Sequence, residues 1–261
     1  MPAATVPPAV LALDFDGVLC DGLREYFQSS WQAYLRTWPV TEPVPPAGLA
    51  QTFYGLRPVV ESGWEMPLVL RAVLRGYTTD DICRRWPAIA RGLLECEGVT
   101  TDALRAALDA VRDEWIARDR AGWLASHRFY PGVIERLRAL AAGATRPYIV
   151  STKEGRFVRE LVAQQGVTLA ETQIIGKEAK RPKREILKAL LAAGAPSLWF
   201  VEDRLETLES VKQEPVLDAV RLFLAEWGYN TPAERDAARG DARVRLLALG
   251  VFAQDFPAWS S

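Results

Sequence analysis

Two carboxylates stand two residues apart in the stretch LALDFDGVLCD, at Asp14 and Asp16, where an apolar run stops and Gly17 breaks the pattern. Taking one carboxylate out of water is costly, and two side by side repel each other. A chain that sets both at the end of a buried strand needs a compensating partner: a cation, a reaction, or both. Two more apolar segments end in polar groups. PYIVS runs into Ser151, Thr152 and Lys153, and SLWFVED ends in Glu202 and Asp203. In open parallel sheets, ligands gather in the crevice outside the carboxyl ends of the strands. Carboxylates collected there suit Mg2+, which takes oxygen ligands and keeps waters and a substrate phosphate in its shell. Ser151 can donate a hydrogen bond to a phosphoryl oxygen, and a lysine can neutralise the charge that remains.

The elements that must position these groups are readable from period and punctuation. Residues 9–14 form a short buried strand, preceded by Pro7 and Pro8 and followed by Gly17. About a hundred residues with little strand signal follow. Phe27, Trp31, Leu35 and Trp38 recur at helical spacing, and the turn-rich PVTEPVPPAG interrupts them. EMPLVLRAVLRG and TDDICRRWPAIARGLL continue the helical pattern. In TTDALRAAL, Thr100 or Thr101 caps a helix whose apolar face is Leu104, Leu108, Val111 and Trp115. From Arg128 onward, helices alternate with the strands PYIVS, TQIIG, SLWFVED and AVRLFLAEWG. A last helix starts near Thr231, and the charge-rich AERDAARGDARVR reads as a solvated helix face. Such alternation predicts an α/β fold: a Rossmann-like parallel sheet with helices on both faces. The helical segment is inserted after the first strand.

Composition narrows the function classes. The 261 residues suffice for one large domain or a core plus an insert, and 49% hydrophobic with 25% charged content is that of a globular protein. A net charge of −1 argues against a broad nucleic-acid surface. No apolar run approaches the roughly 20 residues that span a bilayer. MPAATVPPAV lacks a basic region ahead of an apolar segment, so no secretory signal is expected. Cys20, Cys83 and Cys96 make neither a disulfide framework nor a CxxC metal site, and reduced thiols in a cytoplasmic protein are expected.

Taken together, these motifs resemble those of the haloacid dehalogenase-like (HAD) superfamily. DFDGVLCD is similar to its first motif, Asp-x-Asp-Gly after an apolar strand. YIVST resembles the second, RPKREILKAL the third and LWFVED the fourth, and FYPGV is similar to the re-entry from cap to core. The resemblance spans the chain in the right order. It implies that Asp14 is a nucleophile forming an aspartyl-phosphate and Asp16 the general acid and base. It implies Mg2+ held by the Asp14 side chain, the Asp16 carbonyl and Asp203. Ser151, with Thr152, and a lysine would bind the phosphoryl group. Lys177, Lys180 and Lys183 compete for that last role. Lys183 is favoured because it follows Pro182, a good first helical residue, and precedes Ile186, Leu187 and Leu190.

Two departures from the commoner pattern stand out. Where the family often has Gly-Asp-x-x-x-Asp, this chain has Glu202 at the glycine and Thr207 at the second acid. Glu202 then reads as the second acid of a variant motif, ligating the metal directly or through water. Asp16 itself argues for phosphate chemistry, because dehalogenases and phosphonatases of the family usually lack an acid there.

The resemblance implies an HAD core over residues 1–20 and 129–261 and a helical C1-type cap over 21–128, with linkers near residues 20–22 and 127–130. In the cap, Arg57 and Glu61 are candidates for substrate specificity, the alternative being an ordinary surface pair four residues apart on a helix. His127, the single histidine, reads as a linker residue, and Cys20 as a packed small residue. Asp21 reads as a helix cap or as a support for Asp16 or the hinge. The expected function is a Mg2+-dependent phosphatase of a small phosphorylated metabolite. The alternatives are a phosphotransferase or mutase on the same core, or a non-catalytic HAD-fold binding protein.

Overall fold

The computed structural model describes residues 6–260. The first apolar run is β1 (Val10–Leu13), buried on both faces. After Asp14 the chain turns sharply through Gly17, whose φ is +85°, and enters β2 (Cys20–Asp21). The backbone N–H groups of Leu19 and Cys20 both donate to the Phe15 carbonyl at 2.9 Å, which closes the turn.

From Gly22 to His127 the chain forms a helical unit. Its helices are α1 (Leu23–Thr37), α2 (Leu49–Leu56), α3 (Glu65–Leu74), α4 (Thr79–Glu97) and α5 (Thr101–Ala125). Tyr26, Trp31, Tyr34, Phe53, Leu68, Trp86 and Leu104 are among its buried core. Thr100 caps α5 through its hydroxyl, which accepts from the Ala103 N–H at 3.2 Å. Leu104, Leu108 and Val111 are buried as the helical period predicts, whereas Trp115 is only half-buried. Two buried acids are internally satisfied. Glu25 accepts from Arg112 Nε and Nη2 at 2.7 and 3.1 Å, and Glu65 accepts from the Trp86 indole at 3.0 Å.

The second unit comprises the chain up to Asp21 and from Arg128 onward. Within it β3 (Arg128–Phe129) pairs antiparallel with β2. Then follow α6 (Val133–Ala142), β4 (Arg146–Val150), α7 (Gly155–Gln164), β5 (Ile174–Ile175), α8 (Lys183–Ala192), β6 (Leu198–Glu202), α9 (Leu205–Lys212) and β7 (Arg221–Ala225). The chain continues through α10 (Pro232–Arg239), β8 (Val244–Leu247) and a short α11 (Leu249–Phe252). A capping box closes the start of α10 on Thr231 and Glu234. The charge-rich stretch expected to be one solvated helix face corrects to a helix, a turn and the strand β8. Arg245 interrupts the apolar pattern of that strand.

Among the described residues the main sheet has the order β5-β4-β1-β6-β7-β8, every pair parallel. Winding reverses at β1, so the switch point of this doubly wound sheet lies between β1 and β6. Alternate residues of β6 and β7 serve two cores. Phe200, Leu222 and Leu224 pack with Ile186, Leu187, Leu208 and Val211. Trp199 and Phe223 meet Trp259, with ring centroids 5.8 and 5.3 Å from it. No described helix is long and apolar enough to cross a membrane.

Candidate active site

Register brings the acids together. Leu13 is level with Val201 of β6, so the next residue, Asp14, falls beside Glu202 at the carboxyl ends of the two central strands. The Asp14 N–H donates to the Val201 carbonyl at 3.0 Å. Asp14, Glu202 and Asp203 are all buried, and each offers a carboxylate oxygen within 4.8 Å of the others.

Lys183, the first residue of α8, lies between them. Its Nζ is 2.8 Å from Asp14 Oδ2 and 2.7 Å from Glu202 Oε2. Lys177 and Lys180 are exposed in the preceding turn, which leaves Lys183 as the lysine at the acids. Pro182 is the N-cap rather than the first helical residue. Burial opposes the charge on Lys183, but Asp14 and Glu202 outweigh it and hold the ammonium above its ordinary pKa. Burial first, and Glu202 second, push Asp14 up to about 7 against the pull of Lys183. Burial also raises Glu202.

The two acids of the fourth motif are used differently. Glu202 Oε2 takes Lys183, and Oε1 accepts from the backbone N–H groups of Asp203 and Arg204, both at 3.1 Å. Glu202 thus fixes the lysine and the turn as well as adding charge. Asp203 Oδ2 accepts from the Tyr229 N–H at 2.7 Å.

Asp16 stands outside this cluster. Its Oδ1 is buried and accepts no hydrogen bond among the described residues, and the Lys153 ammonium lies 3.4 Å away. Ser151 is buried at the end of β4, its Oγ accepting from the Lys153 N–H at 3.0 Å, while Thr152 is exposed. Arg57 and Glu61 belong to the helical unit. Arg57 opens a single 3-10 turn, donates to the Val60 carbonyl at 2.9 Å and lies 5.2 Å from the Tyr26 ring centroid. Glu61 follows that turn, so the two do not share one α-helix. His127 is buried with Nδ1 3.0 Å from the Trp123 carbonyl, within the helical unit. Asp21 does not cap α1, whose N-cap is Gly22; its carboxylate accepts from the Tyr229 hydroxyl at 2.8 Å.

The loop after β7, residues 227–230, is a part of the site that sequence reasoning missed. Besides Tyr229, it supplies the Trp227 indole to the Val18 carbonyl at 3.1 Å and the Asn230 amide to the Asp203 carbonyl at 3.0 Å. A Cβ on Gly228 would sit 2.2 Å from Asp203 Cβ, and one on Gly17 would sit 2.0 Å from Asp203 Oδ2. Two glycines therefore let backbone close around this carboxylate. The available signal was another apolar strand, LFLA, ending in polar and glycine residues.

Clustered hard oxygen donors with a lysine alongside fit a divalent cation of the Mg2+ type better than a soft metal, since neither thiol nor imidazole is among them.

No curated protein matches the sequence. Among solved structures, the fold is similar to a "Putative Phosphatase" from Clostridium difficile, at TM-score 0.59 and 14% identity over 94% of this chain and 97% of that one. It is also similar to a "putative phosphoglycolate phosphatase" from Lactobacillus delbrueckii subsp. bulgaricus, at TM-score 0.57 and 11% identity over 93% and 95%. A haloacid dehalogenase-like hydrolase family protein from Streptococcus pneumoniae matches at TM-score 0.53 and 14% identity over 92% and 94%. The sequence itself matches the haloacid dehalogenase-like hydrolase family over residues 8–213, so the chain belongs to that family.

Proposed function

We propose that this hydrolase is a Mg2+-dependent phosphatase of a small phosphorylated metabolite. The observation that carries the reading is the buried Asp14, Glu202 and Asp203 cluster with Lys183 inserted and Asp16 beside it. The phosphatase names of the solved neighbours agree with it.

In this reading the Asp14 and Asp203 side chains and the Asp16 carbonyl hold the metal, with Glu202 adding charge behind them. When bound, Mg2+ supplies charge that neutralises the phosphate and holds Asp14 ionised. An Asp14 oxygen attacks phosphorus while the bond to the leaving oxygen breaks, and Asp16 gives that oxygen its proton. Water then attacks the aspartyl-phosphate, Asp16 takes the proton, and the bond between Asp14 and phosphorus breaks. Lys183 and Ser151, with Thr152 at the rim, stabilise the transferring group, as phosphoryl transfer rests mainly on positioning and electrostatics. The helical unit, with Arg57 and Glu61, acts as the cap that selects the substrate.

The test is phosphate release from a panel of sugar phosphates, phosphoglycolate, nucleotides and aryl phosphates with Mg2+. Release that stops with EDTA and in Asp14→Asn is expected. Release undiminished in Asp14→Asn would overturn the mechanism, and no release from any compound would favour a binding role. Isomerisation of a sugar phosphate without free phosphate would favour a mutase.

A further inference from the structure

Within the helical unit, α1, α2 and α5 enclose an open cleft of about 790 Å³. That is the size of a small-molecule site rather than of a macromolecular surface. One wall is a stripe on α1 at four-residue spacing, from Arg24 through Gln28 and Gln32 to Arg36, exposed along its length. The floor includes Phe27 and Trp31, both buried. Tyr54 of α2 and Trp115 of α5 are half-buried in the lining, which is why Trp115 departs from the buried face of its helix.

The charges in this cleft do not balance. Among the described lining residues the one carboxylate is Glu114, which accepts from Arg36 Nη1 and Nη2 at 3.0 and 2.5 Å. Arg24 and Arg118 also line the cleft; Arg36 first and Arg118 as well hold Glu114 below the usual carboxylate range, so one carboxylate faces three guanidinium groups among the described lining residues. The cleft therefore carries an excess of positive charge in a chain whose net charge is −1. Guanidinium forks match planar or tetrahedral oxyanions, and half-buried indole and phenol rings offer faces for stacking.

We propose that this cleft binds a small planar aromatic molecule carrying one anionic group, its ring against Trp115 and Tyr54 and its anion at Arg118 and Arg24. The test is isothermal titration calorimetry of the full chain with 2-naphthalenesulfonate and with its uncharged counterpart 2-naphthalenemethanol. The sulfonate should bind at least about tenfold more tightly than the alcohol. The exposed pair Arg24→Ala and Arg118→Ala, made together, should weaken the sulfonate by about tenfold and leave the alcohol unchanged. Trp115→Ala should weaken both ligands. Equal affinity for the two, no heat with millimolar sulfonate, or full sulfonate affinity in the double arginine variant would overturn the proposal. The last outcome would also place the sulfonate elsewhere.

Discussion

Lys183 sits between Asp14 and Glu202 and makes their closeness tolerable. Removing one member of a buried ion pair strands the others, at a cost of about 3 to 5 kcal/mol. Lys183→Ala should therefore lower stability by several kcal/mol. In a phosphate-release assay it should lose about a hundredfold or more, the scale of a lost oxyanion partner. Lys177→Ala and Lys180→Ala should leave both measurements near wild type, and the reverse ranking would show the lysine misassigned. Asp14 yields a pH prediction. Its folded value of about 7 lies above the ordinary 3.8, so between these the folded chain holds a proton that the unfolded chain releases. Asp14 thus makes folding less favourable as pH rises through that window, by at most about 1.4 kcal/mol per unit. In metal-free buffer, the unfolding free energy of wild type minus that of Asp14→Asn should fall across the window and level off above it. A difference that grows with pH would contradict the assignment.

The strand ends and the loop at residues 227–230 set the site at the scale of elements. Gly228 lets that loop pass so close to Asp203 that a methyl group would overlap its Cβ. Gly228→Ala must displace the Asp203 carboxylate or the Tyr229 N–H that holds it. Overpacking of this kind costs about 1 to 3 kcal/mol. Mg2+ affinity, followed by the metal-induced rise in melting temperature, should fall with it. Gly92→Ala is the control, since nothing lies within 4 Å of its Cβ position, and in mid-helix it should be neutral or slightly stabilising. Equal effects from both substitutions would remove the packing argument. The same elements show what the sequence could reveal. Asp14, Ser151 and the pair Glu202-Asp203 were legible as candidates because each follows a continuous apolar run, the mark of a strand buried on both faces. Lys183 was separable from Lys177 and Lys180 only by its helix start. β8 was not legible, because an edge strand is half solvated and Arg245 breaks its apolar period. Gly228 and Tyr229 act on Asp203 across 25 and 26 positions, a contact that no local pattern encodes.

At the scale of the whole molecule, the chain closes two compact units, with the candidate metal donors confined to one of them. The donors arrive from distant parts of the sequence: Asp14 follows β1, Glu202 ends β6 with Asp203 just after it, and the loop after β7 buttresses Asp203. A ligand that binds the folded chain alone stabilises it by mass action. Its effect on local opening is largest where opening would break the ligand's contacts. Hydrogen–deuterium exchange should therefore report Mg2+ as slower exchange at three separated stretches, residues 11–20, 198–204 and 226–231. Peptides from α4 and α5 should exchange as before. Asp203→Asn should abolish the slowing at all three together. Asp16→Asn should preserve it, because the Asp16 side chain lies outside the donor cluster even though catalysis would need it. Slowing spread evenly over both units, or slowing lost in Asp16→Asn and kept in Asp203→Asn, would place the metal elsewhere. The paired variants thus separate the metal site from the acid–base group in a measurement that requires no turnover.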